Sequence, residues 1–247
     1  MNNLIYPPFQ SKAKYLTIVK DLYQDKDFAE YYNTITSLNE FNSFNDDYIY
    51  YASNLSKSSK VLEIGSGNGR IFNQLYEDNY DAYGLEPSLD MTAYIKPMAQ
   101  SRILHMTLQE FSLNPKILNL DAVIIPATSI SLVSTTDFEK FLKALIKTPT
   151  FTTIIFDFLK PNFFLKSDHK VTNVKVKNNT YYNVNFLHDD SVIFNIISTK
   201  HHKLGISQKF IYSLEYFENL FKELDGKLEV LKDTSNYSMI KGVFNEQ

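Results

Sequence analysis

A cluster of glycines forms the part of the sequence best suited to bind a ligand. Gly65, Gly67 and Gly69 directly follow the apolar run 61–64, and they are three of only seven glycines in the chain of 247 residues. A turn that leaves a buried strand and approaches a ligand needs residues without a Cβ, because glycine adopts positive φ without strain. The spacing is G-x-G-x-G, whereas dinucleotide-binding enzymes use G-x-G-x-x-G. The pattern predicts a ligand-binding turn between a strand and a helix.

Glu86 supplies a carboxylate at the position that a nucleotide-binding turn requires. It ends the second apolar run, 81–86, about 20 residues after Gly65, where an acid accepts hydrogen bonds from ribose hydroxyls in nucleotide-binding folds. A plain turn followed by a surface acid is the alternative. The ribose role is favoured because strand, glycines, helix, second strand and acid follow one another in register. Arg70, in the first turn of that helix, is expected to face solvent.

Asp157 is the carboxylate best placed to contact a ligand outside the sheet. It lies near the end of the apolar run 151–158, and ligands of doubly wound sheets bind outside the carboxyl ends of the strands. Burying an acid inside such a run costs free energy unless the acid has a partner. We expect Asp157 to contact a bound ligand. The alternative is a strand-end acid that caps the following loop.

Aromatic side chains are the other candidates, since the chain has 17 Tyr and 19 Phe but no Trp. Tyr32, in the N-terminal part, and Tyr182, in a later segment, belong to two stretches that we expect to cover a ligand. Stacked rings there would exclude water and attract a cation. Packing in a core is the alternative for either ring taken alone.

The five histidines do not predict a metal site. His201 and His202 are adjacent on a predicted strand, so their rings point to opposite faces and do not readily chelate one ion. His105 and His188 would be candidate bases if the reacting group of a substrate were a hydroxyl, because an alcohol or phenol more often needs a base than an amine does.

The composition excludes several classes of function. With 25 basic and 28 acidic residues the net charge is −3, which disfavours nucleic-acid binding. The absence of cysteine excludes disulfides and a thiolate nucleophile. Apolar runs are far shorter than the ~20 residues of a membrane span, and the first residues do not resemble a signal peptide. We expect a cytoplasmic protein, a monomer or weak dimer, whose partner is a small molecule or short peptide.

The hydrophobic pattern divides the chain into three parts. Helical spacing predicts a helical cap over residues 1–58. Short apolar runs alternate with amphipathic stretches over 59–160 and again over 213–247, which predicts a mostly parallel α/β sheet with helices on both faces. Residues 161–212 change to a period of two, which predicts an inserted antiparallel meander that covers the substrate.

Four segments, in order, resemble the class I S-adenosylmethionine-dependent methyltransferases. Residues 63–69 are similar to the first motif and residues 84–88, followed by Met91, to the second-strand segment. Residues 108–111 resemble the stretch that lies on the adenine, and residues 121–129 the fourth strand and its loop. The resemblance implies S-adenosylmethionine as the cofactor and a Rossmann-like methyltransferase sheet, mostly parallel with an antiparallel last strand.

The same resemblance assigns cofactor contacts residue by residue. It implies that Gly65 and Gly67 face the methionine part, that Glu86 binds the ribose hydroxyls and that Leu108 packs on the adenine. Ala127 would lie near the cofactor amino group. Thr107 stands where many relatives have an acid, and its hydroxyl can also accept from the adenine amino group. The predicted cofactor site is completed by Tyr32, Ser66, Pro87 and Met91.

The layout as a whole is similar to small-molecule N-methyltransferases, including natural-product tailoring enzymes. We therefore predict N-methylation of an amine on a small metabolite or on the N-terminus of a short peptide, with Asp157 and Tyr182 as catalytic residues. Two alternatives stay open: O-methylation of a small hydroxylated metabolite, and a non-catalytic methyltransferase-like binding module.

Overall fold

The computed structural model describes residues 2–37 and 47–244. Parts of the predicted cap and the last three residues of the predicted core therefore lie outside the described residues. The helices are α1 (Pro7–Ala13), α2 (Lys26–Thr36), α3 (Asp47–Ser53), α4 (Phe72–Glu77), α5 (Leu89–Thr92), α6 (Leu108–Ser112), α7 (Thr135–Leu145), α8 (Pro161–Ser167) and α9 (Leu214–Glu223). The strands are β1 (Thr17–Val19), β2 (Lys60–Ile64), β3 (Asp81–Leu85), β4 (Ile103–Leu104), β5 (Ala122–Ile125), β6 (Thr153–Leu159), β7 (Thr172–Val176), β8 (Asn179–His188), β9 (Ser191–Ser198), β10 (Lys203–Phe210), β11 (Lys227–Asp233) and β12 (Tyr237–Val243).

The main sheet has seven strands in the order β11-β12-β6-β5-β2-β3-β4. Neighbours from β6 to β4 are parallel, and β12 is antiparallel to β6. The predicted α/β sheet, mostly parallel with an antiparallel last strand, is confirmed. Its central strand β5 is apolar and buried at every position, as expected for a parallel strand covered on both faces.

Helices cover both faces of this sheet. On one face, rings from α7 and α9 pack around Phe156 of β6, with centroid distances of 5.4 Å to Phe138 and 4.7 Å to Phe217. On the other face, Tyr51 of α3 and Phe72 of α4 pack with Ile155 in a second core. Much of the phenylalanine content thus forms the core. Within the described ranges, no helix has the length and apolar character needed to span a membrane.

A second sheet, with the order β1-β10-β9-β8-β7, contains the four strands predicted from the period-two segments. Strands β7 to β10 are antiparallel neighbours, as expected for a meander. We call this five-stranded sheet the roof. Strand β1 was not predicted, because its residues were assigned to the helical cap. That assignment is wrong for residues 17–19, where β-branched side chains form a strand that pairs in parallel with β10.

Several element boundaries differ slightly from the sequence pattern. The helix expected to start at Arg70 begins at Phe72, because residues 65–69 form the glycine turn and only then does the chain become helical. The helix expected over 88–95 ends at Thr92, shortly before the chain enters a 3-10 helix at Pro97. The strand expected over 206–212 is β10, which starts at Lys203 and ends at Phe210.

Candidate active site

A cavity of about 660 Å³ lies between the roof, the N-terminal part of the chain and the carboxyl ends of β2 to β5. Its position is the one where ligands bind in doubly wound sheets. All ten residues predicted to bind a cofactor line this cavity: Tyr32, Gly65, Ser66, Gly67, Glu86, Pro87, Met91, Thr107, Leu108 and Ala127. The two predicted catalytic residues, Asp157 and Tyr182, are not among its lining residues.

The glycine turn has the left-handed backbone that its sequence predicts. The φ angles are +67° at Gly65, +51° at Gly67 and +81° at Gly69. A Cβ on Gly67 would also lie 3.2 Å from Cε of Met91. The Gly65 N–H donates to the carbonyl of Leu85 at 2.8 Å, which ties the turn to the end of β3. These positions need glycine because an L side chain there is both strained and crowded.

Glu86 is held by backbone groups on each side of the cavity floor. Its Oε2 accepts from the Gly67 N–H at 3.0 Å and its Oε1 accepts from the Ser88 N–H at 2.9 Å. Burial raises the pKa of Glu86, and these two hydrogen bonds partly oppose that shift. Each carboxylate oxygen keeps a lone pair for a ligand. The arrangement fixes a hydrogen-bond acceptor at the place predicted for ribose hydroxyls.

Glu63, the last acid of β2, is a cavity residue to which the sequence assigned no role. Its side chain is only 3% exposed, and its Oε2 has no hydrogen-bond partner among the residues that the structure describes. Burial raises the pKa of Glu63 well above its usual range, Arg70 opposes the shift and Glu86 adds to it. A buried oxygen without a partner is costly, and a donor or cation in the cavity would relieve that cost. The feature of the sequence that could have indicated a role for Glu63 is its position just before the glycine turn.

Arg70 also lines the cavity, so the expectation that it faces solvent is wrong. Its guanidinium forms an ion pair with Asp47 of α3, with Nη2 3.3 Å from Oδ2. Both side chains are largely shielded from water. The acid that draws Arg70 inward is distant in sequence, which is why helix position alone misplaced it.

Asp157 lies beneath the cavity rather than in it. The side chain is 1% exposed, and its Oδ1 accepts from the Tyr51 hydroxyl at 2.6 Å while its Oδ2 accepts from the Thr128 N–H at 3.1 Å. Burial raises the pKa of Asp157 to about 7, and both hydrogen bonds oppose the shift. Alternation along β6 points this residue towards α3. Asp157 is not among the described residues that line the cavity, and it holds the loop after β5 through the Thr128 N–H; its role towards an acceptor stays a prediction.

That loop carries two residues in an unusual conformation. Ala127 and Thr128 line the cavity, and both have a φ of +57° although neither is glycine. Such backbone persists only where its surroundings enforce it. The hydrogen bond from the Thr128 N–H to Asp157 provides one such restraint, so Asp157 shapes the cavity wall from below.

The two predicted tyrosines have different environments. Tyr32 of α2 lines the cavity, where its ring makes an edge contact with Tyr23 at 6.2 Å. Tyr182 of β8 is 38% exposed and lies outside the cavity, with Nζ of Lys12 5.9 Å from its ring centroid. Its neighbour Tyr181 points the other way and packs on Tyr31 at 4.1 Å. Neither tyrosine of this pair lines the cavity, and the catalytic role of Tyr182 stays a prediction.

Thr107 serves as the N-cap of α6. Its hydroxyl accepts from the Glu110 N–H at 3.2 Å, and the Glu110 carboxylate accepts from the Thr107 N–H at 2.7 Å. The hydroxyl also donates to that carboxylate. One lone pair is left towards the cavity. Leu108 follows directly and presents an apolar side chain beside it.

Another part of the cavity wall is formed by β10 and by the loop after β5. Ser207 and Lys209 of β10 line it together with Ser131 and Leu132. Lys209 is half-buried, its Nζ lies 4.9 Å from the centroid of the Phe194 ring, and burial lowers its pKa to about 8. No sequence motif marks these residues, so they were not predicted.

The chain was compared with known proteins by sequence and by structure. No protein-family model and no curated protein matches its sequence. Its structure is similar to an S-adenosylmethionine-dependent methyltransferase from Clostridium acetobutylicum, with a TM-score of 0.67 and 16% identity over 88% of this chain and 98% of that one.

Two further solved structures give similar values. DesVI from Streptomyces venezuelae has a TM-score of 0.65 and 16% identity, over 89% of this chain and 98% of that one. CalS10 is an amino pentose methyltransferase from Micromonospora echinaspora that was solved with S-adenosylmethionine bound. Its TM-score is 0.63 and its sequence identity 12%, over 88% of this chain and 96% of that one. The chain thus has the fold of these methyltransferases.

Proposed function

We propose that this chain is an S-adenosylmethionine-dependent methyltransferase whose acceptor is an amine on a small metabolite or short peptide. The observation that carries the proposal is one cavity in which a glycine turn, the doubly held Glu86 and the unpartnered oxygen of Glu63 meet. The charge, polarity and apolar character of these groups suit the separate parts of the cofactor. The unpartnered carboxylate oxygen suits an ammonium group, Glu86 suits ribose hydroxyls, and Leu108 suits an adenine face.

The residues would hold the cofactor along the carboxyl ends of β2 to β5. Gly65 and Gly67 would allow close backbone approach, Glu63 would accept from the amino group, and Glu86 would accept from the ribose. The remaining contacts would come from Tyr32, Ser66, Pro87, Met91, Thr107, Leu108 and Ala127. When bound, the cofactor supplies a methyl group on a sulfonium, already activated for displacement by a nucleophile.

The task left to the protein is alignment of the acceptor and exclusion of water. An amine near neutral pH can offer its lone pair without a strong base. His105 and His188, the candidate bases for a hydroxyl acceptor, do not appear in the described lining of the cavity, and neither does any other histidine. This favours an amine. Further support is that structures with this fold include an amino pentose methyltransferase and a sugar N-methyltransferase.

Calorimetric titration with S-adenosylhomocysteine tests the cofactor site. We expect the wild-type chain to bind, and Glu63→Gln and Glu86→Gln each to weaken binding about tenfold to a hundredfold, because hydrogen bonds to charged groups contribute about 1.5–3 kcal/mol. Glu229→Gln, an exposed acid on β11, is the matched control and should bind like wild type. No binding by the wild-type chain would sink the proposal.

Turnover is tested separately with S-adenosylmethionine and a mixture of small amines, amino sugars, short peptides and hydroxylated metabolites. Mass spectrometry should detect a methyl group added to nitrogen. Addition to oxygen only would replace the amine by a hydroxyl acceptor. Binding of the cofactor without any methylated product would instead identify a non-catalytic module.

A further inference from the structure

We propose that the β10 end of the cavity binds an anionic group of the acceptor, a carboxylate or a phosphate, through Lys209 and Ser207. The inference rests on the proposed function and deepens it, because it assigns the acceptor to amines that also carry a negative charge. Neither residue belongs to the motifs that bind the cofactor.

Ser207 and Lys209 present two donors side by side. They are separated by one residue on β10 and therefore lie on the same face of the roof. Both line the cavity. Ser207 is only 7% exposed. A hydroxyl and an ammonium on one strand face can both donate to one carboxylate or phosphate.

Lys209 lacks a counter-ion among the described residues. Its Nζ lies 4.9 Å from the centroid of the Phe194 ring. Phe194 is on the neighbouring strand β9, opposite Ser207. Burial without an acid nearby lowers the pKa of Lys209 to about 8. Other lysines of this region differ, since Lys203 of the same strand pairs with Asp25 and Asp27. A half-buried cation with no acid is costly unless a ligand supplies the negative charge.

The other charged residues along the cavity agree with this assignment. Glu63 and Glu86 lie at the glycine turn, on the side proposed for the cofactor. Lys20 and Asp21 are exposed residues of the rim. Arg70, which also lines the cavity, is paired with Asp47. Lys209 is therefore the shielded cation of the described lining that has no acid beside it.

Two matched pairs of probes test the proposal. Glycine is compared with glycinamide, and phosphoethanolamine with ethanolamine, by ligand-observed NMR titration at millimolar concentrations. The probes are added to the free chain and to the chain with S-adenosylhomocysteine, so that the result stands whether or not the cofactor product binds. We expect glycine or phosphoethanolamine to bind about tenfold or more tightly than its counterpart without the anionic group. Which pair shows the preference identifies the anion.

Variants assign the preference to the two residues. Lys209→Met should abolish it, Lys209→Arg should retain it, and Ser207→Ala should reduce it severalfold. Lys175→Met removes an exposed lysine of β7 that lies outside the cavity, and should leave the preference unchanged. All four variants should bind S-adenosylhomocysteine like wild type, which distinguishes this site from the cofactor site. Equal or absent binding of the probes with and without the anionic group, or a preference that survives in a folded Lys209→Met variant, would overturn the proposal.

Discussion

Glu63 and Asp157 are acids buried close to the same cavity, yet their surroundings give them different functions. Both oxygens of Asp157 accept hydrogen bonds from the protein, so this residue is occupied with structure. One oxygen of Glu63 has no partner within the described ranges. The number of hydrogen bonds already made, rather than burial alone, separates an acid that positions a loop from one that can bind a ligand.

A pH dependence of stability follows from Asp157. Because burial raises its pKa to about 7, the folded chain keeps a proton between about pH 4 and pH 7 that the unfolded chain has released. Stability therefore falls as the pH rises through this window. Asp157→Asn should flatten the dependence of Tm on pH between 4 and 7, as measured by calorimetry. Glu63 and Glu86 have shifts in the same direction, so part of the slope should remain.

Glu229→Gln is again the control, because an exposed acid should leave the slope unchanged. An Asp157→Asn curve parallel to that of wild type would show that this carboxyl does not titrate as its burial implies.

Residues in the glycine motif and its partners were predictable because their spacing is local. The face on which Asp157 and Tyr182 lie depends on which helix or sheet packs against each strand, and the pattern of a single strand does not contain that information. Ser207 and Lys209 were missed for a related reason. Each is an ordinary residue of a strand, and only the approach of the roof to the main sheet places them at a cavity.

The glycine turn acts as one element, but its members differ in what they contact. Gly67 lines the cavity, whereas Gly69 packs against Asn73 and Ile95, with a Cβ position 2.8 Å from atoms of both. Because both residues have positive φ, alanine at either should destabilise the fold by at least about 1–2 kcal/mol. Only Gly67→Ala should also weaken binding of S-adenosylhomocysteine beyond the loss expected from stability.

Thermal unfolding and calorimetric titration of the two variants separate these effects. Equal loss of binding in both variants would mean that the turn responds as a whole and that contact with the cavity does not matter.

Strand β1 shows where element prediction failed. Its three residues form part of an apolar pattern that also fits a helix, and so short a strand is stable only because β10 offers it a partner. The roof strands β7 to β10 were predicted because their apolar and β-branched segments are separated by turn residues, and most of them extend over eight or more residues. The parallel pairing of β1 with β10, a strand far away in the sequence, produces no such pattern in the residues of β1.

At the scale of the whole molecule, the cavity is built by three parts of the chain that are far apart in sequence. The main sheet supplies the glycine turn, the N-terminal part supplies Tyr23 and Tyr32, and the roof supplies β10. A ligand that fills the cavity should therefore slow amide hydrogen exchange in all three parts. Mass spectrometry after addition of S-adenosylhomocysteine should detect protection in residues 20–24 and 65–70 and in β10, but not in β7. Protection limited to the main sheet would show that the roof and the N-terminal part do not close over the ligand.

The parallel pairing of β1 with β10 also determines when the molecule can be completed during synthesis. Strand β1 leaves the ribosome long before its partner, and pairings between segments so far apart are slow because a large loop must close first. Until β1 docks, β10 exposes unpaired backbone groups at the edge of the roof, on the strand that carries Ser207 and Lys209. The β10 side of the cavity is therefore assembled only after most of the chain has been made.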